Sequence, residues 1–165
     1  MRVFSFVISM CILTTISCLT FADNSSINEL EKQSRNFMDG YAKDLRNGDG
    51  VAVADRYNRT GAYFVGGGHK VFKSFNSIRD RYLKKWKGPS SFEWQNLSYE
   101  FIESDSVMVT GTFKWGRGNS MKPLVFSYTG LLTRQEGELR IRLEDESLDP
   151  KAIKESLCAD YVPTL

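Results

Sequence analysis

The second half of the chain is built from four long runs of aromatic and β-branched residues set end to end. They are Phe92–Ile102, Val107–Trp115, Leu124–Arg134 and Leu139–Asp145, each rich in side chains that suit a pleated, half-buried surface. Their connections are Ser104-Asp105, a glycine-rich loop around Gly116-Arg117-Gly118-Asn119, and Gln135-Glu136-Gly137. Such hairpin connections join antiparallel neighbours, so the sheet is expected to be mostly antiparallel.

Helical periods precede this meander. Ser26 with Glu29 forms a capping box, and Ile27, Leu30, Phe37, Tyr41 and Leu45 follow at helical spacing, predicting an amphipathic helix to about Asn47. Asn47-Gly48-Asp49-Gly50 ends it, and Asp49 can cap a short second helix carrying Val51, Ala54 and Tyr57. Ala62–Val65 reads as a strand and Gly66-Gly67-Gly68 as a tight turn. From Ser74 a third helix places Phe75, Ile78, Tyr82 and Trp86 on one face and ends near Gly88-Pro89. Three N-terminal helices followed by a meander predict an α+β domain, with the helices packed on one face of a curved sheet.

The first residues stand apart from this domain. Arg2, an apolar run over Val3–Leu19 and the small residues of Thr20-Phe21-Ala22 make a secretory signal peptide, with cleavage expected after Ala22. The run is shorter than the ~20 apolar residues of a membrane span. Residues 23–165 would then form a single exported domain, periplasmic or secreted, with no integral membrane segment. Cys11 and Cys18 leave with the signal, so Cys158 stands alone and no intramolecular disulfide can form. It reads as a small buried hydrophobe, with a dimer-linking disulfide as the alternative. Asn24-Ser25-Ser26, Asn58-Arg59-Thr60 and Asn96-Leu97-Ser98 fit the glycosylation triplet, which matters only in a eukaryotic host. A formal net charge of +2, of which Arg2 supplies one, gives no reason to expect a nucleic-acid partner.

The order Tyr41-Ala42-Lys43-Asp44-Leu45-Arg46-Asn47-Gly48-Asp49, Tyr57, Gly61-Ala62-Tyr63-Phe64, then Ile78-Arg79 with Tyr82, resembles the nuclear-transport-factor-2-like superfamily. Its SnoaL-like and ketosteroid-isomerase-like branches are the most similar. The resemblance implies a cone-shaped α+β barrel in which a strongly curved sheet wraps the first helix and leaves an apolar pocket. It also implies a homodimer through the outer sheet face. By the same resemblance Tyr41 matches the oxyanion-donor tyrosine of the isomerases. Their general-base aspartate falls at Gly66 and their second donor near Thr129. Proton abstraction needs a base within hydrogen-bond reach, and glycine offers none, so the usual isomerase mechanism is not expected.

The run Leu139-Arg140-Ile141-Arg142-Leu143-Glu144-Asp145-Glu146-Ser147 alternates strictly. Extrapolated, that alternation puts Asp145 on the apolar face and turns Arg140, Arg142, Glu144 and Glu146 away. Asp145 at the cone mouth would be desolvated and a candidate acid or base beside Tyr41; the alternative is an acid already in solvent or tied up in hydrogen bonds. Tyr41, Tyr57, Phe64, Trp94, Trp115, Tyr128 and Asp145 are the candidate ligand-binding residues, since aromatic walls with a few polar tips make typical pockets. His69, the single histidine, is expected to decorate an exposed turn, and without a cysteine or acid cluster it makes no metal site. The basic stripe Lys70, Lys73, Arg79, Arg81, Lys84, Lys85 and Lys87 reads first as a solvated face, and second as an attraction to anionic surfaces.

Two functions follow, neither calling for a cofactor. One is an exported domain binding a small apolar or aromatic molecule, with modest acid–base chemistry by Tyr41 and Asp145 as an extension. The other is a non-catalytic homodimerisation or protein-interaction module whose cone is closed by Trp94, Trp115 and Phe113.

Overall fold

A computed structural model describes residues 4–66, 68–118 and 121–148, with side chains from Ser26 onward. The side chains around the expected cleavage site and at Asn24, and the whole of Cys158, lie outside what is described. Among those that are, no helix is long and apolar enough to cross a membrane.

Three helices precede the long strands: α1 (Phe4–Asn47), α2 (Gly50–Asp55) and α3 (Phe75–Lys84). The Ser26–Glu29 box does not begin α1, because the preceding residues contain no proline or glycine and continue the helix upstream. Ile27 is exposed, whereas Leu30, Ser34, Phe37, Met38, Tyr41, Ala42 and Leu45 form the buried stripe. Asp49 accepts from the Ala52 amide at 3.0 Å and Ser74 from the Ser77 amide at 3.4 Å, so both short helices start on a side-chain cap.

The six strands are β1 (Ala62–Gly66), β2 (His69–Lys73), β3 (Phe92–Glu103), β4 (Ser106–Trp115), β5 (Leu124–Gln135) and β6 (Glu138–Leu148). They lie in the order β2-β1-β6-β5-β4-β3. All pairings are antiparallel except β1 with β6, which makes the sheet mixed. It curves around α1 as a cone but does not close, since β2 and β3 remain edges. The strand β2 escaped sequence reasoning: its charged residues and glycine-rich approach hide a five-residue edge strand, and edges favour such composition.

Curvature comes from bulges. β3 carries an extra residue between Gln95 and Ser98 and another between Phe101 and Glu103. On β6, Ile141 pairs with Leu132 and Leu143 with Leu131, so Arg142 has no partner on β5. That one unpaired residue decides which acid faces inward.

The core is aromatic. Trp94 lies 4.7 Å from Phe92, 5.5 Å from Phe113, 6.1 Å from Tyr41 and 4.7 Å from Tyr128 between ring centroids. Its indole N–H donates to the Met38 carbonyl at 3.0 Å, which locks the sheet to α1. Burying each such ring contributes roughly 1.5–3 kcal/mol.

Candidate functional site

Glu144, not Asp145, is the acid inside the cone. The bulge at Arg142 shifts the alternation by one residue, so Glu144 joins Leu139 and Ile141 on the inner face. Glu144 is 3% exposed, while Asp145 is half-buried and accepts from the Ser147 hydroxyl at 2.9 Å. The expected convergence of Tyr41 with Asp145 is therefore replaced by convergence of Tyr41 with Glu144. Strict alternation could not reveal this, because a bulge inverts the face of every residue beyond it.

Two helices, α1 and α3, and the segment after α2 bring tyrosines to this carboxyl. Tyr41 of α1 donates to Glu144 Oε1 at 3.1 Å, and Tyr57 donates to Oε2 at 2.5 Å. The Tyr57 oxygen lies 2.9 Å from the Tyr82 hydroxyl of α3 and 3.1 Å from that of Tyr41. With Tyr57 committed to Glu144, Tyr82 donates to Tyr57. Two hydroxyl protons then point at one carboxylate and a third supports Tyr57 from behind, an arrangement that suits the ionised form. Burial opposes that form and wins: it raises the Glu144 pKa, while the Tyr57 and Tyr41 bonds and the Arg81 charge pull the other way. If Glu144 takes a proton, it can donate to Tyr57, whose own hydroxyl turns to Tyr41. The cluster thus accommodates both protonation states by rotating O–H bonds. Burial, and then the Glu144 charge, hold Tyr41 and Tyr57 well above the ordinary phenol pKa. Tyr82 is likewise pushed up, by burial and then by the Glu144 charge, so its hydroxyl too stays a donor.

Tyr128 completes the group without joining it. Its hydroxyl is buried and has no hydrogen-bond partner among the described residues. Room for it exists because residue 130 is glycine: a Cβ there would stand 2.4 Å from the hydroxyl oxygen.

Above Glu144 opens a depression of about 320 Å³ at the cone mouth, with walls that include Phe64, Gly66, Val71, Lys73 and Arg81. His69 also lines it, from the start of β2 rather than from the expected turn. Glu146 faces the same space. Partial burial and then the Glu144 charge raise its pKa, although its solvent-exposed side chain lets water screen the effect. Phe64 stacks on Tyr57 at 5.4 Å and carries the aromatic wall. Of the other aromatic candidates, Tyr41 and Tyr57 lie behind the carboxyl, whereas Trp94 and Tyr128 pack in the core. Trp115 meets Phe92 and Phe113 edge-on at 6.2 and 6.4 Å, in the same aromatic stack.

A larger groove of about 610 Å³ runs outside the cone between α1, α2 and the start of β6. Its charges satisfy one another: Arg56 meets Asp44 at 2.7 Å, and Arg140 bonds to the Asp55 carbonyl and to Glu138. No buried acid faces it, so the smaller mouth is the chemically distinctive site. No group of three or more His, Cys, Asp or Glu placed to hold a metal occurs among the described residues.

This architecture is the nuclear-transport-factor-2-like fold. An NTF2-like protein of unknown function from Shewanella oneidensis superposes with a TM-score of 0.60 at 16% identity, covering 71% of this chain and 98% of its own. One from Pseudomonas putida gives 0.62 at 15% identity, covering 73% and 87%. LinA gives 0.59 at 11% identity, covering 76% and 90%. No family model and no curated protein matches the sequence.

Proposed function

We propose that the chain is an exported small-molecule-binding domain that takes its ligand at the cone mouth, over Glu144, rather than deep inside the cone. The observation that carries this reading is a buried carboxyl forming part of the floor of an open depression, held by Tyr41 and Tyr57. Buried acids with raised pKa values in clefts are the pattern of proton-handling sites. A ligand resting on Phe64 would exchange a proton with Glu144, and hydroxyl rotation in the tyrosine cluster would stabilise either state. Gly66, the last residue of β1, also lines the mouth, and there β6 supplies the carboxyl that this position lacks.

Chemical-shift mapping with a fragment library tests the reading. Binders should move the amides of Phe64, Gly66 and Lys73, and Glu144→Gln should alter their affinity. Shifts confined to the outer groove, or none at all, would defeat it.

The aromatic stack around Trp94 and Phe113 favours a second reading, a homodimerising or protein-interaction module. Sedimentation decides the dimeric part: a monomer at micromolar concentration removes it, and dissociation by reductant assigns the dimer to Cys158.

A further inference from the structure

Arg81 and Lys73 stand at the mouth as cations without ion-pair partners among the described residues. The Arg81 guanidinium carbon lies 5.6 Å from the Phe64 ring centroid and the Lys73 ammonium 5.1 Å from the same centroid. Neither forms a salt bridge or side-chain hydrogen bond, although Glu144 and Glu146 line the same depression. The two cations also feel each other. Burial and then the Arg81 charge lower the Lys73 pKa, so the pair is held at an electrostatic cost. Glu144 and Glu146 likewise repel, which favours one negative charge shared between them over two. Arg81 and Lys73 thus stand beside an aromatic wall with no carboxylate of the described residues in direct contact with either.

We infer that the mouth selects a flat monoanion, an aromatic carboxylate, whose carboxylate pairs with Arg81 and Lys73 while its ring lies on Phe64. This rests on the mouth being the binding site and adds the chemistry of the ligand. Arg81 offers the planar fork that matches a carboxylate, and a dianion would be opposed by Glu144 and Glu146.

The test is an NMR titration of the full exported domain at fixed ionic strength with benzoate, its neutral counterpart benzamide, and inorganic phosphate. Benzoate should shift Phe64, Gly66 and Lys73, benzamide should bind more weakly, and Arg81→Gln should weaken benzoate by about tenfold. Arg81 is exposed, so circular dichroism should show this variant folded. Benzamide binding the mouth as well as benzoate would overturn the anion assignment and leave the mouth reading standing. Phosphate binding as well as benzoate would overturn the carboxylate assignment. Benzoate binding unchanged in Arg81→Gln would overturn the role of Arg81 and with it the inference. Silence at the mouth with every probe would overturn both proposals.

Discussion

Replacing Tyr57 by phenylalanine removes one oxygen on which the cluster turns. That hydroxyl donates to Glu144 and receives the Tyr82 proton. A hydrogen bond to a charged acceptor contributes about 1.5–3 kcal/mol, and a stranded buried hydroxyl costs about 1–3 kcal/mol. The ring would keep its stacking on Phe64 and Tyr82, so no cavity adds to the loss. The expected destabilisation is about 3–5 kcal/mol where Glu144 is ionised. Its pH dependence has a definite sign. The folded pKa of Glu144 is raised, so between the unfolded and folded values the native state binds more protons than the unfolded chain. Stability therefore falls as pH rises through that window. The Tyr57 bond favours the charged form and limits the fall. Removing it raises the pKa further, and the cost should shrink to about 1–2 kcal/mol as the carboxyl is protonated. Urea denaturation followed by circular dichroism at one pH on the acid side and one on the alkaline side of the Glu144 titration measures both values. Equal costs at the two pH values, or a loss below about 1 kcal/mol at the higher one, would refute the reasoning.

Glu144→Gln keeps the shape and removes the charge, so thermal melts should lose the decline in stability with rising pH that the buried acid causes. Gly130→Ala sets a methyl 2.4 Å from the Tyr128 hydroxyl and should cost about 1–3 kcal/mol in denaturant, with a changed near-ultraviolet aromatic signal. Gly66→Asp should destabilise rather than supply an isomerase base: residue 66 has φ +152°, and its Cβ would meet the Glu146 carbonyl at 2.8 Å. Folded yield and proton-exchange activity of the variant check this. N-terminal sequencing of exported protein should begin at or near Asp23, and an intact Met1 on cytosolic protein would contradict export.

The elements of the fold were legible wherever a side chain declares its role locally. Asp49 and Ser74 cap the helices assigned to them, and the four long runs after Pro89 are β3 to β6 within a few residues. What remained hidden depends on pairing. Strand β2 is defined by its register with β1, from Ala62 with Lys73 to Gly66 with His69, and its lysines carry no hydrophobic period. The Asn58 triplet reads as a surface signal, yet Asn58 is buried and its Oδ1 accepts from the Thr60 amide and hydroxyl. At the site, Tyr41 and Tyr57 were identifiable as aromatic candidates, but Tyr82 read only as core and Arg81 only as part of a basic stripe. Glu144 was placed on the wrong face because nothing in Leu139–Asp145 marks where two residues share one partner.

The unpaired Arg142 has a consequence for how the floor acid is specified. β6 contains two frames, one that would present Leu143 and Asp145 to the interior and one that presents Glu144. The register against Leu131 and Leu132 selects the second. Side-chain identity at 142 serves the outside, where the guanidinium reaches the Gly61 carbonyl and Thr60. The choice of frame is therefore written on both strands. A single residue inserted between Leu131 and Leu132 would give Arg142 a partner and restore plain alternation, turning Asp145 inward in place of Glu144 if Gly130 and Tyr128, which pair with Glu144 and Glu146, turned outward with them. The floor carboxyl would be exchanged, and shortened by one methylene, by an edit in β5 that leaves every residue of β6 unchanged.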